Sequence, residues 1–144
     1  MGSVFVDTSA LVKFYYPEIG SEKVELQILN ADKVYLCQLT PTEFASALMK
    51  KVREKTLDRD RQETIWSAFL DDLGSLQVEL VPLTPRHSEK ATQMIRAYGH
   101  KEGIRTLDSL QLAAALEVKE AKFLSSDKSL VALAAKIGLS VEKI

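Results

Sequence analysis

The sequence predicts an α/β fold with a mainly parallel sheet, and two observations carry that prediction. Apolar segments of strand length alternate with longer stretches whose apolar residues recur every three to four positions. In this alternating order, strands pair in parallel through helical crossovers. No repeat, low-complexity tract or linker interrupts the chain, so its 144 residues are expected to form one domain over 1–144.

The first strand is expected over Ser3–Val6, ending abruptly at Asp7-Thr8-Ser9. A helix over Ala10–Tyr16 follows, then past Pro17 a second over Ser21–Leu29, with Val24, Ile28 and Leu29 at helical spacing. Val34–Gln38 is an apolar run of strand length. Pro41–Lys55 is helical, because Phe44, Leu48 and Val52 recur every fourth residue. Arg59–Leu73 is a further amphipathic stretch, and its Trp66, Phe69 and Leu70 read as core packing rather than as a partner surface. Gln77–Leu83 reads as a strand before two further helices, Arg86–Tyr98 and Leu107–Lys119. A short strand at Phe123-Leu124 leads to a last helix, Lys128–Ile137, stopped by Gly138, and Val141 opens an edge strand.

Apolar residues make up 46% and charged residues 27%, the balance of a soluble globular protein. No apolar run approaches the roughly 20 residues of a membrane span. Met1-Gly2-Ser3 lacks the basic region of a secretory leader, so a cytoplasmic protein is expected. The lone Cys37 cannot form an internal disulfide and reads as a small buried hydrophobe. A net charge of −1 sets up no global field for nucleic acid, so any RNA contact must use a local basic patch.

Four acids stand at helix starts: Asp7, Glu43, Asp108 and Asp127. Each has a plain structural use. Thr40-Pro41-Thr42-Glu43 has the form of a capping box, with Glu43 reaching back to the Thr40 amide. Thr106 can cap the helix that carries Asp108 in its first turn, and Asp127 and Asp7 can cap the helices that follow them. Capping, however, does not require those helix starts to share a location. Asp7, Glu43 and Asp127 all follow strands, so a parallel sheet gathers them at one edge if the strands are neighbours. Asp108 can lean over that edge from a helix otherwise lined by Leu107, Leu110, Leu112 and alanines.

Carboxylates gathered in one pocket repel one another at neutral pH unless a cation binds or some are protonated. An all-oxygen donor set suits Mg²⁺ or Mn²⁺ rather than zinc. His87 and His100 lack metal-ligand spacing and are expected at the surface. Carboxylate-bound Mg²⁺ serves phosphate ester chemistry, with metal-lowered water acidity in place of a histidine base. Thr8, Ser9 and Ser126 can orient a phosphate or water through their hydroxyls, or simply shape turns. No GxxxxGK[ST] or GxGxxG loop is present, which argues against an NTPase or a dinucleotide-binding protein. The DTS after the first strand lacks the second acid of a haloacid-dehalogenase-like phosphatase. The paired acids of a receiver domain are missing as well.

In order, VFVDTSALVKFYYPE, TPTEFASAL, RTLDSLQLAAA and FLSSDKSLVALAAKIGL resemble the PIN-domain family, specifically the VapC-type toxins of toxin–antitoxin pairs. The resemblance implies a three-layer α/β/α fold around a parallel five-stranded sheet. It also implies Mg²⁺- or Mn²⁺-dependent endoribonuclease activity, with Asp7, Glu43, Asp108 and Asp127 as the acidic cluster and Ser9 in support. From it follow the further expectations of a tRNA- or rRNA-class substrate, a homodimer and a cognate antitoxin. Housekeeping RNA processing and a non-catalytic binding module are the alternatives.

Lys13, Lys50, Lys51, Arg53 and Lys55 form one group of candidate RNA contacts, though most of it reads as a solvated helix face. Arg86, Lys101 and Arg105 form a second. Lys101 and Arg105 are favoured because they precede the helix that carries Asp108.

Overall fold

The computed structural model describes residues 2–144. Five strands alternate with seven helices: β1 (Ser3–Val6), α1 (Thr8–Tyr15), α2 (Ser21–Leu29), β2 (Lys33–Cys37), α3 (Thr40–Arg53), α4 (Arg59–Leu73), β3 (Val78–Val81), α5 (Pro85–Glu102), α6 (Thr106–Ala115), β4 (Lys122–Ser125), α7 (Lys128–Lys136) and β5 (Val141–Lys143). A 3₁₀ turn, Leu116–Val118, extends α6. The sheet order is β3-β2-β1-β4-β5 with every pairing parallel.

Helices cover both faces of the sheet, as a parallel sheet requires, and the strand alternation decides which side chain serves which face. Val4 and Val6 of β1, Val34 and Leu36 of β2 and Leu124 of β4 pack with α1–α4 through Leu11, Val24, Phe44, Leu48 and Phe69. Phe5, Cys37 and Phe123 point the other way, into a layer built from α5–α7 with Met94, Leu112, Ala113–Ala115, Leu133 and Ala134. The Phe5 and Phe123 rings stack across neighbouring strands with centroids 5.8 Å apart. This is the parallel α/β fold that the segment order predicts, in the three-layer α/β/α arrangement that the resemblance implied.

Several local expectations are corrected. The first helix starts at Thr8 rather than Ala10, so Asp7 sits at its N-cap. Arg105, not Thr106, is the N-cap residue of α6. The Thr40–Glu43 capping box does not form. Thr40 is already the first residue of α3, after Leu39, and no side chain caps that helix.

His87 is buried, not at the surface. Its Nδ1 accepts from the Thr84 amide at 2.8 Å and completes a capping box at the start of α5, with the ring taking the place usually held by Glu or Gln. Its Nε2 lies 2.9 Å from Glu117 Oε1. His100 is exposed, as expected. Phe69 is buried and Trp66 packs against it and Phe44, as expected of core aromatics, but Leu70 is exposed. Cys37 is buried as expected. Among the described residues, no helix is long and apolar enough to cross a membrane.

Candidate active site

The strand order reverses at β1: the chain moves from β1 to β2 on one side and later returns to β4 on the other. Ligand crevices of open α/β sheets lie at such a switch point, outside the carboxyl ends of the strands. Asp7 leaves β1 there, Glu43 follows β2 in the first turn of α3, and Asp127 follows β4. The three strands are adjacent, so the expected common edge exists. Asp108 joins from the first turn of α6.

Each acid is held differently. Asp7 is buried, and its Oδ2 accepts from Ser9 Oγ at 2.6 Å and Ser125 Oγ at 2.8 Å. Although Asp7 occupies the N-cap of α1, its side chain makes no capping bond. Burial pushes its pKa from the ordinary 3.8 up to about 6, against the lowering effect of the Ser9 and Ser125 hydrogen bonds. The negative charges of Asp108 and then Glu43 add to the rise, which records how near the acids stand to one another.

Glu43 is half-buried, and its Oε1 accepts from Thr8 Oγ1 at 2.9 Å and from the Gln111 amide nitrogen at 2.7 Å. Asp127 is the genuine cap of the set. Its Oδ1 accepts from the amides of Ser129 at 3.0 Å and Leu130 at 3.1 Å. Asp108 Oδ2 accepts from Arg105 Nε at 3.1 Å. That bond and the charge of Asp108 raise the pKa of Arg105, with smaller contributions from Asp127 and Asp7. Asp108 and Asp127 line one cleft together with Arg105 and Glu102.

A pattern runs through all four. The hydrogen bonds to each carboxylate fall on one oxygen: Oδ2 of Asp7, Oε1 of Glu43, Oδ2 of Asp108 and Oδ1 of Asp127. Each acid is therefore oriented through one atom, and its other oxygen carries no hydrogen bond among the described residues.

As the side chains stand, no group of three His, Cys, Asp or Glu among the described residues is arranged to hold a metal ion. The local donor chemistry is nonetheless all oxygen. The nearby Cys37 thiol is pushed up to about 11, chiefly by burial and then by the charges of Glu43 and Asp7, and so stays a neutral thiol. An all-oxygen donor set suits a hard divalent cation better than zinc.

The supporting hydroxyls divide. Thr8 bridges to Glu43, and Ser9 to Asp7 and to Ser125 at 3.2 Å. Ser126 contributes its backbone amide, donating to Ser9 Oγ at 3.1 Å. Of the basic candidates, Arg105 sits on the acids, whereas Lys13 donates to the Ile19 carbonyl at 2.6 Å and pairs with Glu18. Lys101 is exposed near the end of α5.

Two residues that the sequence reading passed over complete the constellation, Ser125 and Gln111, both fully buried. Ser125 Oγ also accepts from the Asp127 amide at 3.1 Å, so it links the first and last acids. The available signal was a polar side chain inside an apolar run, FLSS for one and LQLAAA for the other.

Comparisons with known proteins agree with this architecture. The family model described as PIN domain matches residues 4–136. VapC20 of Mycobacterium tuberculosis, a Sarcin-Ricin loop cleaving toxin, aligns with a TM-score of 0.72 at 13% identity over 98% of this chain and 99% of its own. VapBC2 of Rickettsia felis, bound to a promoter DNA fragment, aligns with a TM-score of 0.64 at 14% identity over 99% and 98%. VapBC-5 of M. tuberculosis, a member of the VapBC family of toxin-antitoxin systems, aligns with a TM-score of 0.62 at 18% identity over 100% and 98%. A sequence comparison with curated proteins finds no significant match.

Proposed function

The chain belongs to the PIN domain family, and from that premise we propose that it is a metal-dependent endoribonuclease, the toxin of a toxin–antitoxin pair. The observation that carries the reading is the one-sided anchoring of four carboxylates around a switch point. A helix cap needs one carboxylate oxygen, and a neutral surface would not hold Asp7 buried and pushed up to about 6 beside two further acids.

Asp7, Glu43, Asp108 and Asp127 would hold Mg²⁺ or Mn²⁺. Bound there, such an ion polarises a phosphodiester and lowers the pKa of water enough to make it a nucleophile at neutral pH. The chain's own residues supply the rest. Ser9 and Ser125 fix Oδ2 of Asp7, so its other oxygen has one direction to face. Thr8 does the same for Glu43. Arg105 neutralises part of the acidic charge from the rim and is a natural contact for the RNA backbone, with Lys101 beside it in sequence. Lys13 is the weaker candidate, since its ammonium is already engaged by Ile19 and Glu18.

An apolar groove supports the toxin reading over housekeeping RNA processing. Leu11, Phe14, Ile28, Leu29, Phe69 and Leu73 line it between α1, α2 and α4, and Leu29 is 70% exposed. A cognate antitoxin segment is the proposed occupant, and a homodimer the proposed assembly. Residues 1–144 would act as one PIN unit in the cytoplasm on a tRNA- or rRNA-class substrate.

The test is cleavage of total cellular RNA by the purified protein with Mg²⁺ or Mn²⁺, and again with EDTA. Cleavage that requires the metal is expected. A folded protein that cuts no RNA with either ion would hand the assignment to a non-catalytic binding module.

A further inference from the structure

Gln111 is a neutral amide inside a largely apolar helix, between Leu110 and Leu112 and ahead of three alanines. It is completely buried. Its Nε2 lies 2.7 Å from Glu43 Oε1, 3.0 Å from Thr40 Oγ1 and 3.2 Å from Thr8 Oγ1. One side chain of α6 thus ties the start of α3 to the start of α1 at the acidic edge of the sheet.

The orientation of the amide follows from Glu43. Turning it over would set a carbonyl oxygen against the carboxylate at the shortest of the three distances, so the nitrogen must face Glu43. The consequence lies on the other side: Gln111 Oε1 is buried without a hydrogen-bond partner. Buried polar atoms are nearly always satisfied, and an orphaned acceptor opposes folding. An apolar residue of the same size would avoid that cost. What the amide supplies instead is a charge-assisted donor to Glu43, the stronger class of hydrogen bond.

We propose that Gln111 is a positioning residue for metal binding: it clamps Oε1 of Glu43 and thereby presents the other carboxylate oxygen, Oε2, to the cation. Thr40 and Thr8 serve as its anchors. The former Thr40 cap is thus reassigned, from capping α3 to fixing the amide that holds Glu43. The inference rests on the metal-dependent reading above and adds a residue to it.

The experiment is Mn²⁺ binding at neutral pH, followed by loss of the free six-line EPR signal, together with a thermal melt of the metal-free protein. Wild type, Gln111→Met, Glu43→Gln and the double variant form a cycle. Met keeps the length of Gln without the donor. Gln111→Met is expected to weaken Mn²⁺ binding by about tenfold, in line with the loss of a hydrogen bond to a charged group. In the Glu43→Gln background the same change should have little further effect, because its target carboxylate is gone. A purely structural role would lower the melting temperature and affect binding equally in both backgrounds.

A folded Gln111→Met protein that binds Mn²⁺ as wild type does overturns the proposal, and so does full additivity in the cycle. Both leave the metal site standing. If Gln111→Met does not fold, Thr40→Val, which removes an anchor at nearly constant volume, replaces it in the cycle. A loss of a few-fold, coupled to Glu43, is then expected, and unchanged affinity overturns the proposal. Wild-type protein that binds no Mn²⁺ removes both this inference and the reading beneath it.

Discussion

Two neighbouring junctions of the molecule, β1 to α1 and β4 to α7, have the same plan: a parallel strand ends, an aspartate takes the N-cap, and a helix begins. Asp127 behaves as that plan dictates and accepts two amides at the start of α7. Asp7 does not. It makes no capping bond, is buried, and accepts from two serine hydroxyls instead. Identical local sequence logic therefore yields one structural aspartate that also faces the cleft, and one whose burial opposes its own ionisation. The difference lies in what surrounds each strand end. Both strands have a neighbour on either side, β1 between β2 and β4 and β4 between β1 and β5, so the difference is local. The Ser9 and Ser125 hydroxyls close on the Asp7 carboxylate, whereas the Asp127 side chain turns to the amides of its own helix.

The largest effect expected from this contrast is a pH dependence of stability that belongs to Asp7. Its folded pKa of about 6 lies above the ordinary 3.8, so the folded state holds the proton more tightly than the unfolded chain. The resulting stabilisation is fully present below about pH 4 and is lost as pH rises through about 6, a change on the order of 3 kcal/mol. In metal-free buffer, denaturant melts of wild type should show this loss, while Asp7→Asn should lack it and be the more stable protein at pH 7.5. A destabilised Asp7→Asn at that pH would mean the carboxylate is structural after all.

Ser125→Ala is expected to have a smaller effect at the same junction. It removes one of the two donors that hold Asp7 ionised, so the pH at which stability falls should move up by about one unit, roughly 1.4 kcal/mol. NMR titration of the Asp7 carboxyl measures it, and an unchanged pKa would show that Ser9 alone sets it.

At Asp127 the expected effects are those of a cap. Asp127→Ala should cost about 1 kcal/mol and Asp127→Asn close to nothing, because Asn caps about as well as Asp. Equal stability of the Ala and Asn variants in urea melts would remove the capping role.

The sheet and its helices were legible because their patterns are strong. The four-residue spacing of Phe44, Leu48 and Val52 has few other physical readings, and the short apolar run Val4-Phe5-Val6 is cut off by the turn residues Asp7-Thr8-Ser9. The four acids were legible as a set, since three of them follow strands that turned out to be neighbours. Their partners were not. Thr40 and Glu43 satisfy a capping pattern by spacing alone, and only the approach of α6 shows that Glu43 turns to Thr8 and Gln111 instead. Ser125 and Gln111 stand inside apolar runs, where linear sequence shows a polar exception but not what it faces. His87 was misread because a lone histidine carries no sign of the Thr84 cap that buries it.

The most direct measurement of the central claim, that these acids are more than caps, compares Asp7→Asn with wild type in RNA cleavage with Mn²⁺ and in melting without it. A folded variant is expected, at least as stable at pH 7.5, whose cleavage is reduced by roughly a hundredfold or more through loss of a proposed metal-binding carboxylate. A folded Asp7→Asn protein that cleaves RNA as fast as wild type would contradict that claim.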